Sequence, residues 1–321
     1  MMEGSGAAVT ANGLTKYYDS LLAVDHITFE IAHGEIFGFL GPNGAGKTST
    51  IRMLMNLIRP SEGSAAILGM DTVRDSLAVK AQVGIVPEVS NIFPELSTLN
   101  NLTFTGALYG MGRRNRMARA SELIDLFDLA EHQHRKAVEL SMGLRRRLAI
   151  AMSIMHRPRI IFLDEPTSGL DVSSARAIRD TVRELNGEGV TFFLTTHNMD
   201  EANQLCRRIA VINRGRLIAV DTPERLKQAA AESQVVEAVF DRELEPAEVE
   251  ELSGLEGCSQ LLPEAGKYRM RTSDPARILQ GLYPFMHRSG IKPVSINTLG
   301  PSLEDVFIRL TEGGKEAAGD G

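Results

Sequence analysis

Residues 41–48 read GPNGAGKT, follow directly on the apolar run EIFGFL and open a periodic segment, TIRMLMNLI, that stops before Pro60. A strand, a glycine-rich loop and a helix in that order confine the chain to α/β folds that hold phosphate at a helix N-terminus. Gly44 and Gly46 let backbone N–H groups close around phosphate oxygens, and Lys47 supplies a point charge. Thr48 is placed to ligate Mg²⁺. Gly41, Asn43 and Ser49 complete the loop.

A second apolar run, IIFL, ends in Asp164 and Glu165, and a third, VTFFLTT, ends at His197. Open α/β sheets bind ligands beyond the carboxyl ends of their strands, so all three residues belong at the edge that carries the glycine loop. Asp164 is the metal-holding carboxylate and Glu165 the group that orients or deprotonates an attacking water. His197 stands where an imidazole reaches a γ-phosphate. The pair His132 and His134 lies in a polar stretch without partner carboxylates or cysteines, and no zinc site is expected there.

The expected fold is a phosphate-binding α/β core with an N-terminal antiparallel β subdomain, a helical insert and a small C-terminal α+β domain of ferredoxin-like type. Alternation of Ile27, Phe29 and Ile31 with polar residues predicts short half-buried strands from Val9 to Gly34. Residues 88–158 read as helical, and strands return at RIIFL, VTFFLTT and RIAVINRGRLIAV around the helix SSARAIRDTVRELN. The expected domains are a disordered start at 1–8, a nucleotide domain at 9–225, a linker at 226–233 and an accessory domain at 234–312. A disordered tail is expected at 313–321. Within 234–312 the order is strand, helix, strand, strand, helix, strand, followed by the helix SLEDVFIRLTE.

The formal charge of −6 disfavours a surface built to neutralise nucleic-acid phosphates. Cys206 and Cys258 have no paired spacing and read as reduced thiols. No apolar run approaches the ~20 residues that span a bilayer. Any contact with a membrane is therefore expected to be indirect.

Five elements in one order carry a family resemblance over residues 9–225: GPNGAGKTS, the signature-like LSMGLRRR, the Walker B strand IIFLDEP, the D-loop SGLD and His197. The chain resembles the ATP-binding subunit of an ABC transporter. The resemblance implies ATP and Mg²⁺ as cofactors and ATP hydrolysis as the activity, with the protein peripheral on the cytoplasmic face of the membrane. It implies a homodimer, or a pair with a second ATP-binding subunit, in which Ser141, Gly143 and Asp171 of one copy close on nucleotide held by the other. It also implies that Tyr18 in KYYD stacks on adenine, ahead of Tyr17. The ending GPSLEDVFIRLTEG is similar to the drug, antibiotic and lipid exporter branch, which implies a transmembrane permease on a separate chain. Two alternatives stand beside this: a soluble relative acting on ribosomes or DNA, and a weakly hydrolysing accessory subunit. Soluble relatives usually carry tandem nucleotide domains or long coiled coils, and this chain has one glycine loop and no heptad run.

Two stretches depart from the family pattern. Glu88 in IVPEVSN stands where glutamine is usual. It can give an oxygen to Mg²⁺, but unit charges about 4 Å apart interact by roughly 4 kcal/mol at an effective dielectric of about 20, so repulsion from the γ-phosphate is comparable. A solvent-facing Glu88 that serves the membrane partner is the other reading. Met142 and Leu144 replace a glycine and a variable residue in the signature, while the Ser141 hydroxyl and the Gly143 N–H, the groups that meet phosphate, remain. Arg145, Arg146 and Arg147 follow, either favouring a bound anion or forming a solvated or salt-bridged face.

Overall fold

Ile36–Leu40 is buried along its whole length, as expected of a parallel strand covered on both faces. The computed structural model describes residues 6–89, 91–229, 234–264, 266–300, 302–304 and 306–307. The chain divides into two units, residues 1–222 and 223–321.

In chain order the first unit runs β1 (Val9–Tyr18), β2 (Leu21–Ile31), β3 (Ile36–Leu40), α1 (Lys47–Leu54), β4 (Glu62–Ile67), β5 (Met70–Asp71), α2 (Ser76–Ala81) and β6 (Val83–Val86). The helices α3 (Thr98–Leu108), α4 (Arg113–Leu126) and α5 (Met142–Ser153) follow. Then come β7 (Ile160–Asp164), α6 (Val172–Gly187), β8 (Thr191–Thr196), α7 (Met199–Leu205), β9 (Arg208–Asn213) and β10 (Arg216–Asp221). An antiparallel sheet has the order β2-β1-β4-β5. A six-stranded sheet has the order β10-β9-β3-β8-β7-β6, with only β10 antiparallel.

The N-terminal strands are longer than the alternation predicts, 10 and 11 residues. Their pairing register shifts between Ala11 and Leu14 and again between Leu14 and Lys16. Such bulges break the period-two pattern without ending the strand. Pairing also starts before Val9: Ala8 is buried and its N–H donates to the Ile31 carbonyl at 2.7 Å. Helix α1 begins at Lys47, earlier than the apolar period suggests, and Asn56 at φ 48° turns the chain away after its end.

Phe193 sits between the two sheets of this unit, with ring centroids of Phe29, Phe37, Phe39 and Phe162 between 5.3 and 6.2 Å away. These rings belong to one continuous core that includes Val9, Leu14, Ile31 and Ile67 of the antiparallel sheet.

The second unit begins with α8 (Pro223–Ala229), so helix occupies part of the expected linker. It continues β11 (Gln234–Phe240), α9 (Pro246–Ser253), β12 (Gln260–Glu264), β13 (Lys267–Thr272), α10 (Pro275–Ser289) and β14 (Pro293–Leu299). Its sheet order is β12-β13-β11-β14 with every neighbour antiparallel, which is the ferredoxin-like arrangement. Val236, Ala238 and Phe240 pack with Ile278, Leu282 and Phe285 in a core of its own. Most of the expected final helix, and the tail at 313–321, lie outside the described residues.

Phe193→Ala removes the ring that joins the two sheets. It should cost about 3–5 kcal/mol of stability, read as a lower urea midpoint for the full chain.

Candidate functional site

Four neighbouring strands of the six-stranded sheet, β3, β8, β7 and β6, are parallel and end on the same edge. The glycine loop leaves β3, His197 follows β8, Asp164 and Glu165 end β7, and Glu88 follows β6. A cavity of about 320 Å³ at this edge is lined by Asn43, Gly44, Gly46, Lys47, Thr48, Ser49, Glu88 and Glu165 among others. Gly46 must be glycine, because it adopts φ 106° and a Cβ there would stand 2.7 Å from the Ala23 carbonyl oxygen.

Lys47 is 6% exposed and folds back over the loop, donating to the carbonyls of Gly41 at 2.7 Å and Pro42 at 3.3 Å. Its Nζ is also 3.1 Å from Glu165 Oε1. That oxygen is buried and makes no aligned hydrogen bond, so the contact is one of charge alone. The other carboxylate oxygen lies 2.8 Å from His197 Nδ1 and accepts from the His197 backbone N–H at 3.3 Å. Glu165 has a left-handed backbone, φ 49°. Such a conformation costs on the order of 1–3 kcal/mol for a non-glycine residue and needs support from its surroundings.

Thr48 Oγ1 donates to Asp164 Oδ2 at 3.1 Å, which brings the two expected metal ligands together. Thr195 donates to the other Asp164 oxygen. Among the described residues no group of three or more Asp, Glu, His or Cys is arranged to hold a metal ion by itself. Two hard oxygens beside a phosphate-binding loop nevertheless fit Mg²⁺, which takes few protein ligands and fills its octahedron with water and substrate oxygens.

Residues 24–168 match the family described as ABC transporter. The chain is 38% identical over 313 residues to the daunorubicin/doxorubicin resistance ATP-binding protein DrrA of Streptomyces peucetius, covering 95% of this chain and 92% of that one. The chain belongs to the ABC transporter family as an ATP-binding subunit. It is 33% identical over 310 residues to the Nod factor export ATP-binding protein I of Cupriavidus metallidurans, covering 95% and 97% of the two chains. Among solved structures it is similar to an ATP-binding cassette captured as a dimer in a post-hydrolysis state bound to ADP and Pi. That likeness has a TM-score of 0.62 and 27% identity, covering 67% of this chain and 98% of that one. A second solved ATP-binding subunit, with a TM-score of 0.64 at 24% identity, has the same fold. The activity of the family is ATP hydrolysis, and this ABC subunit is an ATPase.

The signature turn of the ABC subunit keeps its polar groups. Ser141 is the N-cap of α5 and its hydroxyl accepts from the Leu144 N–H at 3.3 Å. A Cβ on Gly143 would lie 2.5 Å from Ser174 Oγ, so the absence of a side chain lets α5 approach the start of α6. Met142 is 55% exposed, and its methyl group would be 3.0 Å from a Cβ placed on Gly169. The side chain therefore lies over the D-loop.

The three arginines do not form an anion-binding face. Arg146 is buried and turned onto backbone carbonyls at the ends of β6 and β7. Arg147 lies 3.3 Å from Asp128, and Arg145 lines a second cavity, of about 630 Å³, with Glu88, Met142 and Leu170. Asp171 is the N-cap of α6, accepting from Ser174 N–H at 2.9 Å and Ser174 Oγ–H at 2.7 Å. Those two donors hold its carboxyl below the ordinary range.

Tyr18 reaches the loop helix, with its hydroxyl 3.4 Å from Ser49 Oγ, whereas the Tyr17 N–H donates to Ser61 on the far side of the hairpin. Glu88 is exposed and lines both cavities. Sequence reasoning missed Thr195, the second donor to Asp164. It also missed Glu201, a buried carboxylate that accepts from Thr167 at 2.8 Å and whose titration burial pushes up. A polar residue inside an apolar strand was the available signal for Thr195.

Thr195→Val keeps the shape and removes the donor to a buried carboxylate. Stability should fall by about 1–3 kcal/mol and return in Thr195→Ser, as thermal unfolding would register.

Proposed function

We propose that the protein is the ATP-hydrolysing subunit of a drug-type exporter, working as a pair around two ATP molecules and driving a permease on a separate chain. The observation that carries the hydrolytic reading is the placement of Glu165. It is a buried carboxylate on the cavity of the glycine loop, with one oxygen on Lys47, the other on His197, and acceptor capacity unspent.

Lys47 and the loop N–H groups of Gly44 to Thr48 hold the β and γ phosphates of ATP. Lys47 is already drawn to the loop by two carbonyls and to Glu165 by charge, so an arriving phosphate meets an ammonium group held in place and shares it with Glu165. Thr48 and Asp164 hold Mg²⁺, with Glu88 as a third oxygen donor. When bound, Mg²⁺ would supply positive charge against the β and γ phosphates. Glu165 accepts a proton from the attacking water or orients it, and His197 fixes the carboxylate and reaches toward the γ-phosphate. Tyr18 covers the adenine.

Pairing brings the Ser141 hydroxyl and the Gly143 N–H at the start of α5 to the γ-phosphate held by the other copy, with Asp171 beside them. Hydrolysis weakens that bridge and reopens the pair. The exporter reading draws support from relatives named for drug resistance and for export that align along 95% of this chain, the accessory unit included. No helix among the described residues is long and apolar enough to cross a membrane, and the permease accounts for the spanning part. The ABC subunit then works from the cytoplasmic face.

Glu165→Gln should lower turnover by about 10²–10⁴-fold while ATP binding persists. Near-normal hydrolysis in that variant would remove Glu165 from the role. Ser141→Ala should weaken ATP-dependent pairing, followed by size-exclusion chromatography, and leave ATP binding by the monomer intact; unchanged pairing would count against the signature reading.

A further inference from the structure

Arg146 carries a charge into the interior, where Asp164, Glu201, Glu88 and Glu165 are near enough to act on it through charge, but its hydrogen bonds go elsewhere. Its side chain is 7% exposed, and its partners are neutral backbone carbonyls. Nε donates to Pro166 at 2.9 Å, Nη1 to Pro87 at 2.6 Å and Glu88 at 3.3 Å, and Nη2 to Asp164 at 2.6 Å and Glu165 at 2.7 Å. A guanidinium has five N–H donors in a fixed planar fork, and each of the five is used once.

The carbonyls come from two loops that leave adjacent strands, β6 and β7. Three belong to Asp164, Glu165 and Pro166, the consecutive peptide groups around the left-handed residue that bears the water-activating carboxylate. The other two belong to Pro87 and Glu88. The fork is mounted on α5, whose N-cap is Ser141. The helix stays in the core through Leu148, Ala149, Ile150 and Met152, which are buried independently of Arg146.

We infer that Arg146 is a positioning residue for ATP hydrolysis. Its fork clamps the peptide groups on either side of Glu165, and so holds the carboxylate against Lys47 and His197 in register with the Ser141 helix and the Glu88 loop. The inference rests on the reading of Glu165 as the group that handles the water. A lysine in its place keeps the charge but gathers its donors at one point, and it cannot span the Asp164–Pro166 carbonyls and the Pro87–Glu88 carbonyls together.

The test uses the full-length chain and its Arg146→Lys, Arg146→Gln, Arg147→Lys and Glu165→Gln variants. Hydrolysis is measured over a range of ATP, ATP affinity by a fluorescent analogue, and pairing by size-exclusion chromatography with Mg²⁺ and ATP. Arg146→Lys should lose on the order of 10–10²-fold in kcat, the scale set by small misplacements of a catalytic group. Its ATP affinity should stay within about threefold of wild type, and like Glu165→Gln it should accumulate the ATP-bound pair. A variant damaged only in its fold would lose affinity and pairing together. Arg147→Lys, altered at a residue that meets Asp128 on the surface, should behave as wild type. Wild-type hydrolysis beside an equally active Arg146→Lys overturns the inference alone. Loss of ATP binding and of cooperative unfolding in both Arg146 variants assigns the residue to the fold and also overturns it. An inert wild type removes the hydrolytic reading, and this inference with it.

Discussion

Lys47 and Glu165 approach to 3.1 Å with both side chains more than nine-tenths buried. Either charge alone would be costly there, since an unpaired buried ion has no water to replace its lost hydration. The pair is therefore a condition for the rest of the site. It draws the lysine back over the glycine loop and the glutamate away from solvent, and it ties the start of α1 electrostatically to the residue that follows β7. A phosphate group entering the loop is a competing anion for the same lysine. In the proposed reading, nucleotide binding and the environment of Glu165 would be coupled through that one ammonium group.

The sheet sets the distances over which this works. β3, β8, β7 and β6 are neighbours, spaced by the hydrogen-bonding repeat of about 4.8 Å. Loops leaving their ends can place a lysine, a histidine and two carboxylates within reach of each other without long excursions. The phenylalanine cluster centred on Phe193 fixes those ends from below, because interiors packed at crystal-like density transmit displacement instead of absorbing it. The antiparallel sheet adds Tyr18 from the tip of the β1–β2 hairpin, close to the first turn of α1.

Much of this was legible in the sequence because the groups concerned are contiguous or stand at strand ends. GPNGAGKT announces its loop, IIFLDEP and VTFFLTT announce the carboxylates and His197, and Ser141 announces a helix start. The secondary unit was legible from the order of its elements. Arg146 was not, because its partners are backbone carbonyls 18 to 59 residues away and a carbonyl has no sequence signature. Three arginines in a row gave no sign that one would turn inward. Strands β4 and β6 escaped notice for another reason. EGSAAI has three exposed residues and little alternation, and VGIV is too short to show a period.

The close approach of α5 and α6 at Gly143 and Ser174 has a consequence for the local field. Both contacts lie in the first turns of their helices, so two positive dipole ends face one small region. Aligned ends of like sign repel, and Asp171, whose carboxyl the Ser174 donors hold below the ordinary range, offsets part of that repulsion. In the proposed pair, the turn at Ser141 would present two helix N-termini to an incoming anion. That contribution comes from the backbone of the two helices and does not depend on the side chain of Met142.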